Sequence, residues 1–158
     1  MEQNKSDFGA RVVIKLENEF AKAINQRGLH YIRDKRLEPL KRVLEEHHAD
    51  LHNAMRDFEY YVQSSEAHGV YDSPIVNWTR DATINPHSRA RYNTMFTVGI
   101  AGQKVFDQET VEKIKADFEV LSGDGVIELV KIDSMDPQTN PSIPPRYFGE
   151  AVPSLEQA

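Results

Sequence analysis

The sequence contains no cysteine, and no apolar run approaches the ~20 residues that cross a membrane. The lack of cysteine excludes disulfides, thiol catalysis and every zinc or iron–sulfur site built on thiolates. The polar start Met-Glu-Gln-Asn-Lys-Ser-Asp does not fit a signal peptide. We therefore expect a cytoplasmic protein, or one assembled within the cell, that neither passes through a signal-peptide pathway nor contacts a membrane.

The net charge of the chain limits which partners it can bind. The 158 residues carry a formal charge of −6, which argues against general nucleic-acid binding and makes nucleic acid an unlikely partner. Residues 107–133 hold 3 basic and 8 acidic side chains, whereas residues 70–106 hold 4 basic and 2 acidic ones. Two interpretations stay open: a head-to-tail contact between copies, or the ordinary drift of composition along a chain, which we favour.

An apolar stripe dominates the first half of the chain. Its successive spacings of 3, 4, 4, 3, 4, 3 and 4 follow the ~3.6-residue period of an α-helix. The members are Leu37, Leu40, Leu44, His48, Leu51, Met55, Phe58 and Val62. The spacing predicts one long helix from Asp34–Pro39 to about Ser65.

A shorter helix is expected before the stripe. Val13, Leu16, Phe20 and Ile24 repeat at 3, 4 and 4, and Gly28 fits the left-handed position after a helix end. Residues 1–69 are thus predicted to form a two-helix hairpin. The predicted second helix is longer than the first, so the apolar side chains at its far end need cover from the C-terminal region or from another subunit. These surplus side chains are the predicted partner-interface residues Phe58, Tyr61 and Val62.

A small unit of mixed strands and helix is expected over residues 70–133. Alternating apolar residues predict a strand over residues 92–100, and Asp107 is expected to cap a helix carrying a buried apolar stripe. The apolar run at residues 126–132 predicts an inner strand, so that strand, helix and strand could form a parallel crossover. Residues 75–79 are read as a further strand, and residues 81–91 as a polar loop.

The last 25 residues differ from the rest. Residues 134–158 contain five of the eight prolines but also several large apolar side chains, which predicts an extended arm that docks on its own body or on a neighbour. The arm supplies further partner-interface residues Ile143, Tyr147 and Phe148. The predicted fold class is α+β: a long N-terminal helical hairpin packed with a small mixed sheet–helix unit, then a Pro-rich arm, in one structural domain overall.

Metal binding has one set of candidates, Glu45, His48 and His52. On a continuous helix their spacings of three and four would place all three on one face, as in helical zinc or carboxylate-bridged metal sites. A metal pair would need further carboxylates, and none appears at suitable spacing. A solvated helix face, with His48 at the edge of the apolar stripe, is the favoured interpretation, and we expect no bound cofactor.

A second candidate binding site, for phosphate groups or nucleic acid, is the stretch from Arg80 to Arg91. This stretch contains four cationic candidates between two aromatic residues, and such a combination can bind phosphates and stack on bases. The cations are Arg80, His87, Arg89 and Arg91, and the aromatic residues are Trp78 and Tyr92. An ordinary surface loop is the favoured interpretation, since four cations in an acidic protein are a weak signal.

Function has to be inferred without a catalytic motif. No phosphate-binding loop and no nucleophile elbow is present, so we expect a protein that is not an enzyme. The favoured hypothesis is a structural or assembly protein that contacts copies of itself or other subunits, such as a neck, tail or baseplate component of a phage-type virion. The alternatives are a metal-binding helical protein and a regulatory or nucleic-acid-associated module that uses the Arg80–Arg91 stretch.

Overall fold

A four-stranded antiparallel sheet is the centre of the protein. The computed structural model describes residues 9–135. The strands are β1 (Ala10–Leu16), β2 (Ala49–Asn53), β3 (Met95–Ile100) and β4 (Ile127–Ser134). Their order across the sheet is β2-β3-β1-β4, and every neighbouring pair is antiparallel.

Six helices connect these strands within the described residues. They are α1 (Asn18–Arg27), α2 (Glu38–Glu46), α3 (Ala54–Ala67), α4 (Pro74–Ile84), α5 (Pro86–Tyr92) and α6 (Gln108–Glu119). None of the helices between residues 9 and 135 is long and apolar enough to cross a membrane.

The connectivity consists of two interleaved strand–helix–strand units. The first runs from β1 through α1 and α2 to β2, with β3 between its two strands; the second runs from β3 through α6 to β4, with β1 between them. This is the split β-α-β arrangement. One apolar core joins the sheet to α1, α2 and α6, which therefore cover the same face of the sheet. Alternate residues of β1 (Val12, Ile14 and Leu16) supply the centre of that face.

The helices α3, α4 and α5 form an addition to this plan, which we call the helical insert (residues 54–92). It lies between β2 and β3, neighbouring strands that a short turn could join. Its buried side chains lie outside the main core cluster, so the insert has a small apolar interior of its own. These side chains are Met55, Ser65, Ile75, Val76, Thr79 and Ala82.

The predicted long second helix is wrong. α2 ends at Glu46, His48 adopts a positive φ of 53°, and the chain then forms β2 before α3 begins. A left-handed residue ends a right-handed helix. The new helix starts at Asn53, whose side chain accepts a hydrogen bond from the Arg56 N–H and so caps it. The helical periodicity persists because Leu51 on β2 also packs against the main core.

The predicted first helix begins too early. Val12 to Leu16 belong to β1, so residues 9–69 form strands and shorter helices rather than a helical hairpin. The predicted helix end is confirmed: Gly28 has a φ of 86°, and its N–H donates to the Ile24 carbonyl at 2.9 Å. Strands from residues 9–69 and from residues 70–135 share one sheet.

The prediction for residues 70–133 is confirmed in part. The β3 strand and the α6 helix capped by Asp107 are present. β4 is also present, but it lies at the edge of the sheet, so the predicted inner strand is wrong. β3 and β4 both pair antiparallel with β1 and therefore run parallel to each other, so the crossover through α6 is parallel, with β1 between its two strands. The segments read as a strand and a polar loop are helices α4 and α5, because Ser73 and Asn85 cap helices whose first residues are prolines. The Pro-rich arm lies outside the described residues from Asp136 onward.

The cap of α6 provides a test by pH. The Asp107 carboxylate accepts hydrogen bonds from Thr110, which lower the pKa of Asp107 below its usual 3.8. Its contribution to stability is therefore present at neutral pH and is lost as the pH falls through that lowered pKa. We expect Asp107→Ala to lower the thermal midpoint by a few degrees at neutral pH, and less once the carboxylate of the parent is protonated. Thermal unfolding of both proteins across the acidic range measures this. Asp107→Asn is the control, since it keeps the cap; a pH-independent effect of Asp107→Ala would contradict the prediction.

Candidate partner-binding surface

Three aromatic rings connect the helices of the insert. The Phe58 ring on α3 meets the Trp78 ring on α4 edge-on, with centroids 5.8 Å apart, and meets the Tyr92 ring on α5 at 5.0 Å. Both distances fit favourable edge-to-face contacts. We call these residues the aromatic trio. Trp78 remains 39% exposed, so the trio fastens the helices together and also forms part of the surface.

Ion pairs hold α4 and α5 against α3 beside the trio. The Arg80 guanidinium lies 2.8 Å from the Glu66 carboxylate, and the Arg89 guanidinium lies 3.0 Å from the Glu59 carboxylate. Each arginine also donates to a backbone carbonyl, that of Tyr71 or of Thr83. Two of the cations that suggested phosphate binding are therefore occupied in holding the insert together.

The remaining candidates of that stretch also lie on helices. The Arg91 guanidinium stacks over the Tyr92 ring at 5.3 Å, and His87 is exposed in the first turn of α5. The sequence placed these side chains in one loop, whereas the structure distributes them over α4 and α5. The basic surface predicted from the sequence is consequently smaller and partly neutralised.

The insert is also rich in exposed apolar side chains. Eight large hydrophobic residues of the described chain are exposed, and four of them belong to these 39 residues. A contiguous interaction surface commonly shows such a concentration, while scattered exposed residues do not require explanation. The four are Tyr60, Tyr71, Trp78 and Ile84.

The partner-interface residues predicted on α3 have partial cover. Phe58 is half-buried and packs against α4 and α5 of its own chain, while Tyr61 and Val62 are also half-buried. The C-terminal candidates Ile143, Tyr147 and Phe148 lie outside the described residues. That these residues bind a partner stays a prediction. The sequence did not indicate Trp78, whose contact with Phe58 depends on how α3 and α4 pack.

The candidate metal residues do not share a helix face. Glu45 lies near the end of α2, His48 follows that helix in a left-handed conformation, and His52 lies on β2 with its ring against Gly99. In the part of the chain that the structure describes, no group of three or more histidine or acidic side chains is placed to hold a metal ion. The helical-face premise of the metal hypothesis is wrong.

A histidine that the sequence did not single out has a structural partner. The Nε2 atom of His47 lies 2.8 Å from the Asp117 carboxylate, and the His47 ring stacks near Phe118. This contact joins the end of α2 to α6. Seventy residues separate the two side chains, and no local sequence pattern indicates the pairing.

A cleft of about 370 Å³ lies between α1 and residues 31–34. Phe20, Ala23 and Ile32 supply its apolar lining, and the Arg36 guanidinium sits 4.6 Å above the Phe20 ring. Asp34 accepts hydrogen bonds from the Arg36 side chain and backbone, which lower the pKa of Asp34 and hold Arg36 in place. The cleft is thus a preformed feature with an apolar lining and charged edges.

Comparison with known proteins adds no family and no relative. No family model, no curated protein and no solved structure matches this chain. Two surface features of the described chain therefore bear on function: the aromatic trio with its exposed neighbours, and the cleft beside α1.

Proposed function

We propose that this chain is a non-enzymatic structural or assembly protein that binds protein partners through the helical insert. The observation that carries the proposal is the aromatic trio, with Trp78 partly exposed and other exposed apolar side chains on the same helices. Tryptophan and tyrosine dominate the energetics of protein interfaces, because each buries a large rigid surface and still offers a polar group.

Preorganisation supports the same proposal. The edge-to-face rings and the two ion pairs fix α3, α4 and α5 relative to one another before any partner arrives. A fixed surface loses little conformational entropy on binding, so that more of the contact energy appears as affinity. The insert is therefore better suited to binding a protein surface than a mobile loop of the same composition would be.

A second copy of this chain is the partner that the charges favour. The side chains of four cations on or near α1 have no hydrogen bond or ion pair to any residue between 9 and 135: Lys22, Arg27, Arg33 and Lys35. Residues 107–133 carry the excess of acidic side chains. Opposite charges on different parts of one body favour a head-to-tail contact between copies. A neck, tail or baseplate part of a phage-type virion is the kind of assembly that we propose.

The sole tryptophan allows a direct test. Self-association should shield Trp78, so quenching of its fluorescence by acrylamide should fall as protein concentration rises. In sedimentation velocity, Trp78→Ala should raise the dissociation constant at least about tenfold, as expected for a hot spot.

Val120→Ala serves as the matched control, because Val120 is exposed on another part of the body, at the end of α6. It should leave association unchanged. A wild-type chain that stays monomeric at all concentrations, with unchanged quenching of Trp78, would contradict the proposed function.

A further inference from the structure

The cleft beside α1 combines an apolar lining with unpaired positive charge. Phe20 and Ile32 are buried in its wall, while Arg27 and Arg33 line its edge. Neither guanidinium group forms a hydrogen bond or an ion pair with any residue from 9 to 135, whereas the neighbouring Arg36 side chain is held by Asp34. The cleft therefore holds two guanidinium groups with free donors.

This combination defines the chemistry of a ligand. Guanidinium groups pair with carboxylates through parallel hydrogen bonds, and an apolar wall accepts an aromatic or aliphatic side chain. Tyr31 is 75% exposed at the same edge and offers an aromatic face for further packing. A peptide that places an aromatic residue close to a carboxylate satisfies both halves of the cleft.

The chain itself contains such a peptide beyond its described part. Residues 144–150 read Pro-Pro-Arg-Tyr-Phe-Gly-Glu, with two aromatic residues followed closely by Glu150. We infer that the cleft of one copy binds this segment of a second copy, with Phe148 on the apolar wall and Glu150 beside Arg27 and Arg33. The inference rests on the proposed self-association and identifies the segment that makes the contact.

Charge and length are compatible with this contact. Arg146 of the segment is opposite in charge to Glu19, an exposed residue that also lines the cleft and lies 3.7 Å from the Arg36 guanidinium. The described chain ends at Met135, whose N–H donates to the Gly9 carbonyl at 3.1 Å. An extended chain covers ~3.3 Å per residue, so the twelve residues from Met135 to Tyr147 reach at most ~40 Å. That is about the diameter expected for a body of this size, enough to reach an adjoining copy.

The cysteine-free sequence permits a specific cross-linking experiment. Full-length Ala23→Cys, which places a thiol in the cleft wall, is mixed with full-length Gly149→Cys and oxidised in air with copper–phenanthroline. We expect a disulfide-linked dimer of the two variants, seen by non-reducing electrophoresis and mass spectrometry. Its yield should be at least about tenfold above that of a control mixture in which Val120→Cys replaces Ala23→Cys. Adding Arg27→Glu and Arg33→Glu to the Ala23→Cys chain should remove it.

A second cleft position keeps the test valid. If Ala23→Cys lowers the thermal midpoint, Tyr31→Cys takes its place, because Tyr31 is exposed and its removal opens no cavity. Cross-linking that is absent, or equal to that of the Val120→Cys control, would overturn the inference. So would a chain carrying both Ala23→Cys and Gly149→Cys that links only within itself.

The result also separates this inference from the proposed function. If Trp78→Ala weakens self-association while Arg27→Glu with Arg33→Glu does not change it, the inference fails and the proposed function stands. If the wild-type chain does not self-associate at all, both fail. Weakening by both sets of substitutions, together with the specific cross-link, supports both.

Discussion

Replacing Phe118 with alanine should lower the free energy of unfolding by about 3–5 kcal/mol, because the change leaves a cavity that a packed core cannot fill. Phe118 has no exposed surface, lies on α6 within the main core, and stacks near the His47 ring. Chemical denaturation, with the free energy extrapolated to water, measures the loss.

Val120 provides the matched control for this prediction. It lies two residues further along the chain, at the end of the same helix, and is 78% exposed. Val120→Ala should change the free energy of unfolding by less than about 0.5 kcal/mol, the usual range for surface positions. Equal effects of the two substitutions would show that α6 does not pack on the sheet as described.

Replacing Met55 with alanine should cost about 2–5 kcal/mol, although Met55 lies outside the main core cluster. The side chain is only 1% exposed and lies in the first turn of α3, where the helical insert joins β2. The substitution removes packing at this junction, so the insert should lose more of its stability than the sheet does.

Amide hydrogen exchange can resolve where that stability is lost. We expect faster exchange in α3 and α4 of Met55→Ala, with little change in β1 and β3. Tyr60→Ala, at an exposed position of the same helix, is the control and should leave exchange nearly unchanged. Uniformly faster exchange over the whole chain would indicate that insert and sheet unfold together, contrary to the separate interior proposed for the insert.

Elements with both a boundary signal and a clear period could be predicted from the sequence. Asp107 begins α6, and Gly28 ends α1, because each residue satisfies backbone groups or a backbone conformation that few others provide. For α4 and α5 the signals Ser73-Pro74 and Asn85-Pro86 were also present. The short apolar and polar runs around these caps favour a strand and a loop, so the sequence predicts neither helix.

The prediction of one long helix is wrong for a physical reason. Periodicity reports which side chains face a core, and Leu44, Leu51 and Met55 are inward-facing on a helix, a strand and another helix in turn. The break occurs at His48, whose left-handed conformation has no glycine to mark it. In β1 the run Val12-Val13-Ile14 favours a strand, although the neighbouring apolar residues also fit a helical stripe. Hydrogen bonding to β3 on one side and to β4 on the other stabilises the strand.

The candidate surfaces were predictable only in part. The sequence marked Phe58 as a residue that needs cover, and the structure supplies that cover from Trp78 and Tyr92, 20 and 34 residues further along the chain. The cleft beside α1 depends on a backbone turn after Gly28 and on the fixed position of Arg36. Such arrangements follow from tertiary packing, which no local pattern encodes.

The pairing of β1 with β4 places both ends of the described chain at one corner of the sheet. Ala10 lies opposite Ser134, and the neighbouring residues Gly9 and Met135 are joined by a backbone hydrogen bond. Tension between these two ends would act across the β1–β4 ladder and open its hydrogen bonds one at a time, as in unzipping. β4 would separate first, while β1 would stay paired with β3. The force that the protein could withstand when pulled through residues 136–158 would therefore be set by the β1–β4 hydrogen bonds at this edge strand, and not by the packing of the core.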